Sequence, residues 1–210
     1  MNRADALAGN GVSLVRERAL ALRVQRGLER LYRLIPTADI GDFVRGADMG
    51  ERETVLVREA EGGELEISIA LPALGGVDGQ LDTICQLIEG VSHFVYLAER
   101  ARLGRAATQL ELELQAEVDK WVVIAASIRP FDAGRSASLR ARLYEHVAFV
   151  HGAESELGER YRLANAAAHG FVRRLEREFV RGARFSELQG ELCRFFHVGQ
   201  EEKLRLGRAA

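Results

Sequence analysis

Lysine is almost missing from this chain. Of 29 basic residues only Lys120 and Lys203 are lysines, so nearly all the positive charge is arginine. A GC-rich genome accounts for that bias without appeal to the bidentate geometry of arginine. Cysteine is equally scarce. Cys85 and Cys193 are far apart and share no C-x-x-C spacing, so neither a disulfide framework nor a cysteine zinc site is signalled, and both read as small core residues. Each of the three prolines, at 36, 72 and 130, falls where a periodic segment stops. An excess of one charge is missing too: 29 basic residues face 31 acidic ones, and a net charge of −2 gives no general attraction to nucleic acid or anionic membrane. No apolar run approaches the length of a membrane span, and the opening "MNRADALAGNGVSLVRERAL" lacks the apolar segment of a signal peptide, so a cytoplasmic protein is expected.

What is present suits a folded domain. A chain of 210 residues that is 47% hydrophobic can bury a substantial core, and one domain over 1–210 is expected. From Val12 to Leu34 apolar residues recur at helical spacing up to Pro36, which predicts an N-terminal helix within 1–36. The stretch "PTADIGDFVRGADMGE" reads as a loop or broken helix. Between 53 and 71 two β-prone runs flank "EAEGGE", and Leu65, Ile67, Ile69 and Leu71 alternate with Glu64, Glu66, Ser68 and Ala70. This predicts a β-hairpin turning at Gly62 and Gly63. After Pro72 comes a glycine-rich connection in which Asp78 could cap a helix. Residues 80–206 then read as a helical body with segments at 81–102, 108–128, 139–151, 154–181 and 185–196, and "PFDAGRSAS" as a loop. The fold class is mostly α: a bundle-like domain of about five to seven helices with one hairpin packed on it.

The segment "QLELELQAEVDKWV" fits two incompatible periods. Taken in twos, Leu110, Leu112 and Leu114 alternate with polar residues as in a strand; taken by 3.6, Leu110, Leu114, Val118, Trp121 and Ala125 form one helical stripe. Thr108 followed by Glu111 is a capping box, and the apolar run continues unbroken through "DKWVVIAASI", so the helical reading prevails. Leu81 to Ser127 should then form an antiparallel hairpin turning at "LGRAAT", with Leu110, Leu114, Trp121 and Ile124 buried.

That hairpin raises a question about charge. Glu117 falls on the apolar face and should be at least partly buried, where an unpaired carboxylate costs several kcal/mol. On the preceding helix Asp82, Gln86, Glu89, His93 and Arg100 form a polar strip. The antiparallel arrangement brings His93 toward Glu113 and Glu117, so Glu89, His93, Glu113 and Glu117 are the candidate catalytic or metal-ligating residues. The structural account of the same residues is a local His–Glu pair and a Glu met by an arginine such as Arg100. The spacing in "EGVSH" matches neither H-E-x-x-H peptidases nor the E-x-x-H of di-iron bundles. Ser68, Ser92, Ser136 and Ser138 stand in no nucleophile-elbow context, and the glycine clusters are not phosphate loops.

Two further segments bear on function. Arginines at 160, 162, 173, 174, 177, 181 and 184 interleave with Tyr161, Phe171 and Phe179, which could serve single-stranded nucleic acid. Leu163, Ala167, Phe171, Leu175 and Phe179 form a helical stripe, however, so nucleic-acid binding is not favoured. In "NAAAHG" small residues around His169 permit close approach of another helix, and Asn165 could bond His169. His146 and His151 flank "VAFV" near a helix end, and Leu204 and Leu206 could dock on the body or on a partner. With no intact catalytic motif and wide apolar helix faces, the expected function is a non-catalytic, bacterial-type soluble helical binding or scaffolding protein. It would act through protein partners or self-association, away from membranes, with no cofactor predicted. The alternatives are a metal-assisted hydrolase or acid/base enzyme built on the Glu/His cluster with a divalent metal, and single-stranded nucleic-acid binding through 160–184.

Overall fold

The computed structural model describes residues 15–46, 54–59, 65–71 and 80–208. Among these the chain forms α1 (Val15–Tyr32), β1 (Val44–Gly46), β2 (Thr54–Glu59), β3 (Leu65–Leu71), α2 (Gln80–Arg102), α3 (Gln109–Ser127), α4 (Ala133–Arg140), α5 (Glu156–Leu175), α6 (Phe185–His197) and α7 (Gln200–Arg208). The mostly helical reading with one hairpin holds. π-Helical turns extend α4 through 141–145 and α5 through 176–180. A large apolar core extends from Ala21 on α1 to Leu206 on α7, and a smaller apolar cluster gathers Leu114, Ala164 and Ala167.

β2 and β3 are the expected antiparallel pair, with Val55 opposite Ile69 and Val57 opposite Ile67. The stretch expected as a loop behaves differently. A 3₁₀ turn at Ile40–Asp42, capped by the Asp39 side chain, leads into β1, which pairs parallel to β3 with Val44 opposite Ile69. Three residues are too short to carry a readable alternation, but they occupy the edge of β3 that a lone hairpin would leave open. Val44 and Ile69 are both buried, and the Phe43 ring lies 5.3 Å from Phe94 of α2, fixing the sheet to the helical body. The turn at Gly62 and Gly63, the connection at 72–79 with Asp78, and the side chains at 54–67 and 71 lie outside the described residues.

The predicted helical hairpin is formed by α2 and α3. Gly104 ends α2 at φ +63°, a left-handed conformation that glycine enters without a Cβ penalty. Both bonds of the capping box are made, the Thr108 side chain accepting from the Glu111 amide and the Glu111 carboxylate from the Thr108 amide. "QLELEL" is therefore helix. Leu114 and Trp121 are fully buried, whereas Leu110 and Ile124 are only partly so. Eleven of the nineteen residues of α3 are buried, spread around its circumference, because α1, α2, α4, α5 and α7 all pack against it. Its wide apolar face reflects a central position.

The segment after Pro130 needs correction. The helix expected at 139–151 begins earlier and ends earlier, because the Asp132 side chain caps the backbone N–H of Arg135 at 2.9 Å and starts α4 inside the presumed loop. Helical structure stops at Glu145, and residues 146–155 connect to α5, capped by Ser155.

The small residues of "NAAAHG" do admit another helix. Ala164, Ala167 and Ala168 are buried on α5, and α7 lies so close that a Cβ on Gly207 would meet the Ala167 carbonyl oxygen at 2.5 Å. Asn165 makes no bond to His169, which instead meets Arg140 at 2.6 Å and stacks on Tyr144. Since the obstructing atom is backbone, Gly207→Leu should displace α7. A loss of about 1–3 kcal/mol is expected, read as a fall in Tm of about 2–12 °C by calorimetry; an unchanged Tm would mean that α7 does not dock this closely.

Candidate functional site

Glu89 and His93 stand four residues apart on α2, and Glu113 and Glu117 four apart on α3, so each pair shares one helix face. The hairpin turns these faces together, but it divides the four. Glu89, His93 and Glu113 are buried, and one ligand atom from each lies within 4.8 Å of the others. His93 Nε2 and Glu113 Oε2 are 4.0 Å apart. Glu117 is drawn aside by Lys120, whose Nζ lies 2.9 Å from Glu117 Oε1 and 2.7 Å from Glu89 Oε2. The expected arginine does not reach Glu117: Arg100 pairs with Glu111 at 3.0 Å, at the turn end of the hairpin.

Burial sets the protonation chemistry here. Withdrawal from water would push the Lys120 ammonium down, but Glu117 and Glu89 together outweigh it and hold Lys120 well above its ordinary range, so it stays charged. The same burial pushes the Glu117 carboxyl up against the pull of Lys120. Glu89 and Glu117 thus lean on one ammonium that bridges two helices.

The Lys120 pair also lines a surface cleft of about 430 Å³ between α2, α3, α5 and the 146–151 connection. Glu89 is shared by this wall and the Glu/His triad, while His93 and Glu113 are not part of the wall. His146 and His151 belong to the cleft lining, and His151 stacks on Tyr161 at 5.8 Å. Asn165, read as a partner for His169, lines the cleft as well. Cys85 is present, but burial pushes its thiol up to about 11, which removes it as a thiolate nucleophile.

A second polar cluster escaped the sequence reading. Asp119 on α3 accepts bonds from Tyr32 of α1, from Ser92 of α2 at 2.6 Å and from Gln115 at 3.0 Å. Lys203 of α7 donates to Gln115 Oε1 at 2.6 Å and to the Phe195 carbonyl at 2.7 Å, and its ammonium lies over the Tyr96 and Phe195 rings. Lys203 is 0% exposed. The legible signal was scarcity: in a chain whose cations are nearly all arginine, both lysines are buried where a compact ammonium reaches two acceptors that a planar guanidinium would overfill.

No protein-family model, no curated protein and no solved structure matches the chain. Two carboxylates and an imidazole from adjacent helices form a donor set suited to a first-row divalent cation.

Burial pushes Lys203 down to about 7 from an ordinary 10.5, with Asp119 as the main opposing influence. Between those two values the unfolded chain holds a proton on this group that the folded chain has released, so stability should rise with pH through that window. The slope is at most about 1.4 kcal/mol per pH unit. Urea unfolding of wild type and Lys203→Met from pH 7 to 10 checks this: the rise should be present in wild type and absent in the variant.

Proposed function

We propose that this chain is a metal-dependent protein whose centre is Glu89, His93 and Glu113, with the adjoining cleft receiving the molecule on which the metal acts. The observation that carries the reading is the convergence of three buried donors from two helices within 4.8 Å. The His93–Glu113 separation of 4.0 Å is too long for a hydrogen bond. It is close to the edge of about 3.4 Å expected when ligands stand about 2.1 Å from a tetrahedral ion, so side-chain adjustments of under about 1 Å would close the set. Three protein ligands leave a coordination position open, as catalytic sites do and closed structural sites do not.

A cation there would act as a Lewis acid toward an oxygen of the bound molecule, the chemistry of metal-assisted hydrolysis. Glu89, shared with the cleft wall, links the centre to incoming substrate. Glu117, its carboxyl raised by burial and held by Lys120, is the group placed to take up a proton.

This reading is preferred to a purely scaffolding role because the breadth of the apolar faces on α2 and α3, which suggested an interface, follows from the central position of the hairpin. Nucleic-acid binding has less support: Phe171 and Phe179 are buried rather than presented for stacking, and Arg174 is engaged by Glu178 and Glu191. No described helix is long and apolar enough to cross a membrane. A cytoplasmic setting, where the free thiols of Cys85 and Cys193 stay reduced, accords with the reading.

Metal analysis of protein purified without a polyhistidine tag should show about one zinc, manganese or iron per chain, directly or after reconstitution. His93→Ala and Glu113→Gln should each lose it while keeping wild-type circular dichroism, and His151→Ala should retain it. Wild type that stays substoichiometric with all three metals would refute the proposal.

A further inference from the structure

On the side of α3 facing α1 and α6, two adjoining cavities of about 980 and 450 Å³ share Leu31, Val122, Ala126, Phe185 and Gln189 and form one groove. Leu28, Leu87, Ile88 and Trp121 are nearly inaccessible in its floor, while Phe185 stands 48% exposed at its edge. Along α1 the groove runs from Leu20 to Leu31, a length of about 17 Å at 1.5 Å per residue, or about three helical turns.

The charge on this groove is of one sign. Arg23, Arg30 and Arg129 line it, and no aspartate or glutamate does so among the described residues, in a chain with 31 acidic side chains against 29 basic. None of the three guanidinium groups meets a carboxylate among the described residues. Elsewhere in the molecule Arg174, Arg184, Arg194 and Arg205 each hold a glutamate. An apolar trough edged by unpaired cations is complementary to a segment that is apolar on one face and acidic on its flanks.

We propose that this groove docks an amphipathic helix of a partner protein, about three turns long, with apolar residues at i, i+3, i+4 and i+7 and glutamate or aspartate beside them. A second copy of this chain fits less well, because a twofold contact through the same surface would set the arginine edge of one protomer near that of the other. The inference is independent of the metal centre, whose residues lie outside the groove.

The test uses the full chain and two fluorescein-labelled designed helices of about fifteen residues, long enough to fold on docking. Both carry leucine at i, i+3, i+4 and i+7; one is flanked by glutamate and its twin by lysine. Fluorescence anisotropy should give the glutamate-flanked helix a Kd at least about tenfold below that of its twin. Phe185→Asp, at an exposed helix start, should weaken it by a similar factor, and joint Arg23→Glu, Arg30→Glu and Arg129→Glu should reverse the preference. Equal affinities, no anisotropy change up to about 100 μM, or binding indifferent to these substitutions would overturn the proposal. So would a dimer in light scattering that Phe185→Asp dissolves, which would assign the groove to a second copy.

Discussion

A helix against which five others pack, and which still carries Glu111, Glu113, Glu117 and Asp119, sets the terms for the rest of this fold. A carboxylate withdrawn from water needs a cation or donors close by, or it takes up a proton. Each answer comes from a different place. Arg100 and the helix's own N-cap serve Glu111; His93 approaches Glu113; Lys120 serves Glu117 and reaches across to Glu89. Tyr32, Ser92 and Gln115 surround Asp119. The helices that bury α3 thus bring to it the groups that make its burial tolerable. Apolar packing alone would accept several rotations of these helices, whereas polar matching accepts few.

The same economy explains the two lysines. Lys120 ties α3 to α2, and Lys203 ties α7 to Gln115 and Phe195. Both are compact amines buried among acceptors on more than one side. Asp119 is pushed up to about 6, chiefly by burial, while Lys203 is pushed down to about 7, so these neighbouring groups titrate close to neutral pH at the centre of the molecule. The Glu89–His93–Glu113 triad stands apart from them: Glu89 is at once a member of that triad, a partner of Lys120 and part of the cleft wall, which joins the interior charges to the surface.

The helical hairpin was legible in the sequence because its signals are local. A capping box spans four residues, a glycine stop one, and Glu89/His93 and Glu113/Glu117 share faces through a spacing of four. The close approach at "NAAAHG" was readable for a similar reason, since small side chains remove bulk wherever they stand. Failures also had local causes. Asp132 was taken as part of a loop although it is a cap, so α4 was placed too late, and β1 was missed because three residues do not establish a period.

By itself, then, the sequence determined that α2 and α3 are helices, that they fold back on each other, and that an imidazole and several carboxylates face the seam. The tertiary structure decided which charge meets which. It sent Arg100 to Glu111 rather than Glu117, put Lys120 between Glu89 and Glu117, and brought Lys203 to a glutamine 88 residues away. It also decided that the apolar breadth of α3 marks a core position while an arginine-edged groove stays open beside it. Helix formation answers to neighbours within one or two turns, which the linear order supplies. Pairing across helices depends on their relative rotation and depth, which emerge only when all of them pack at once.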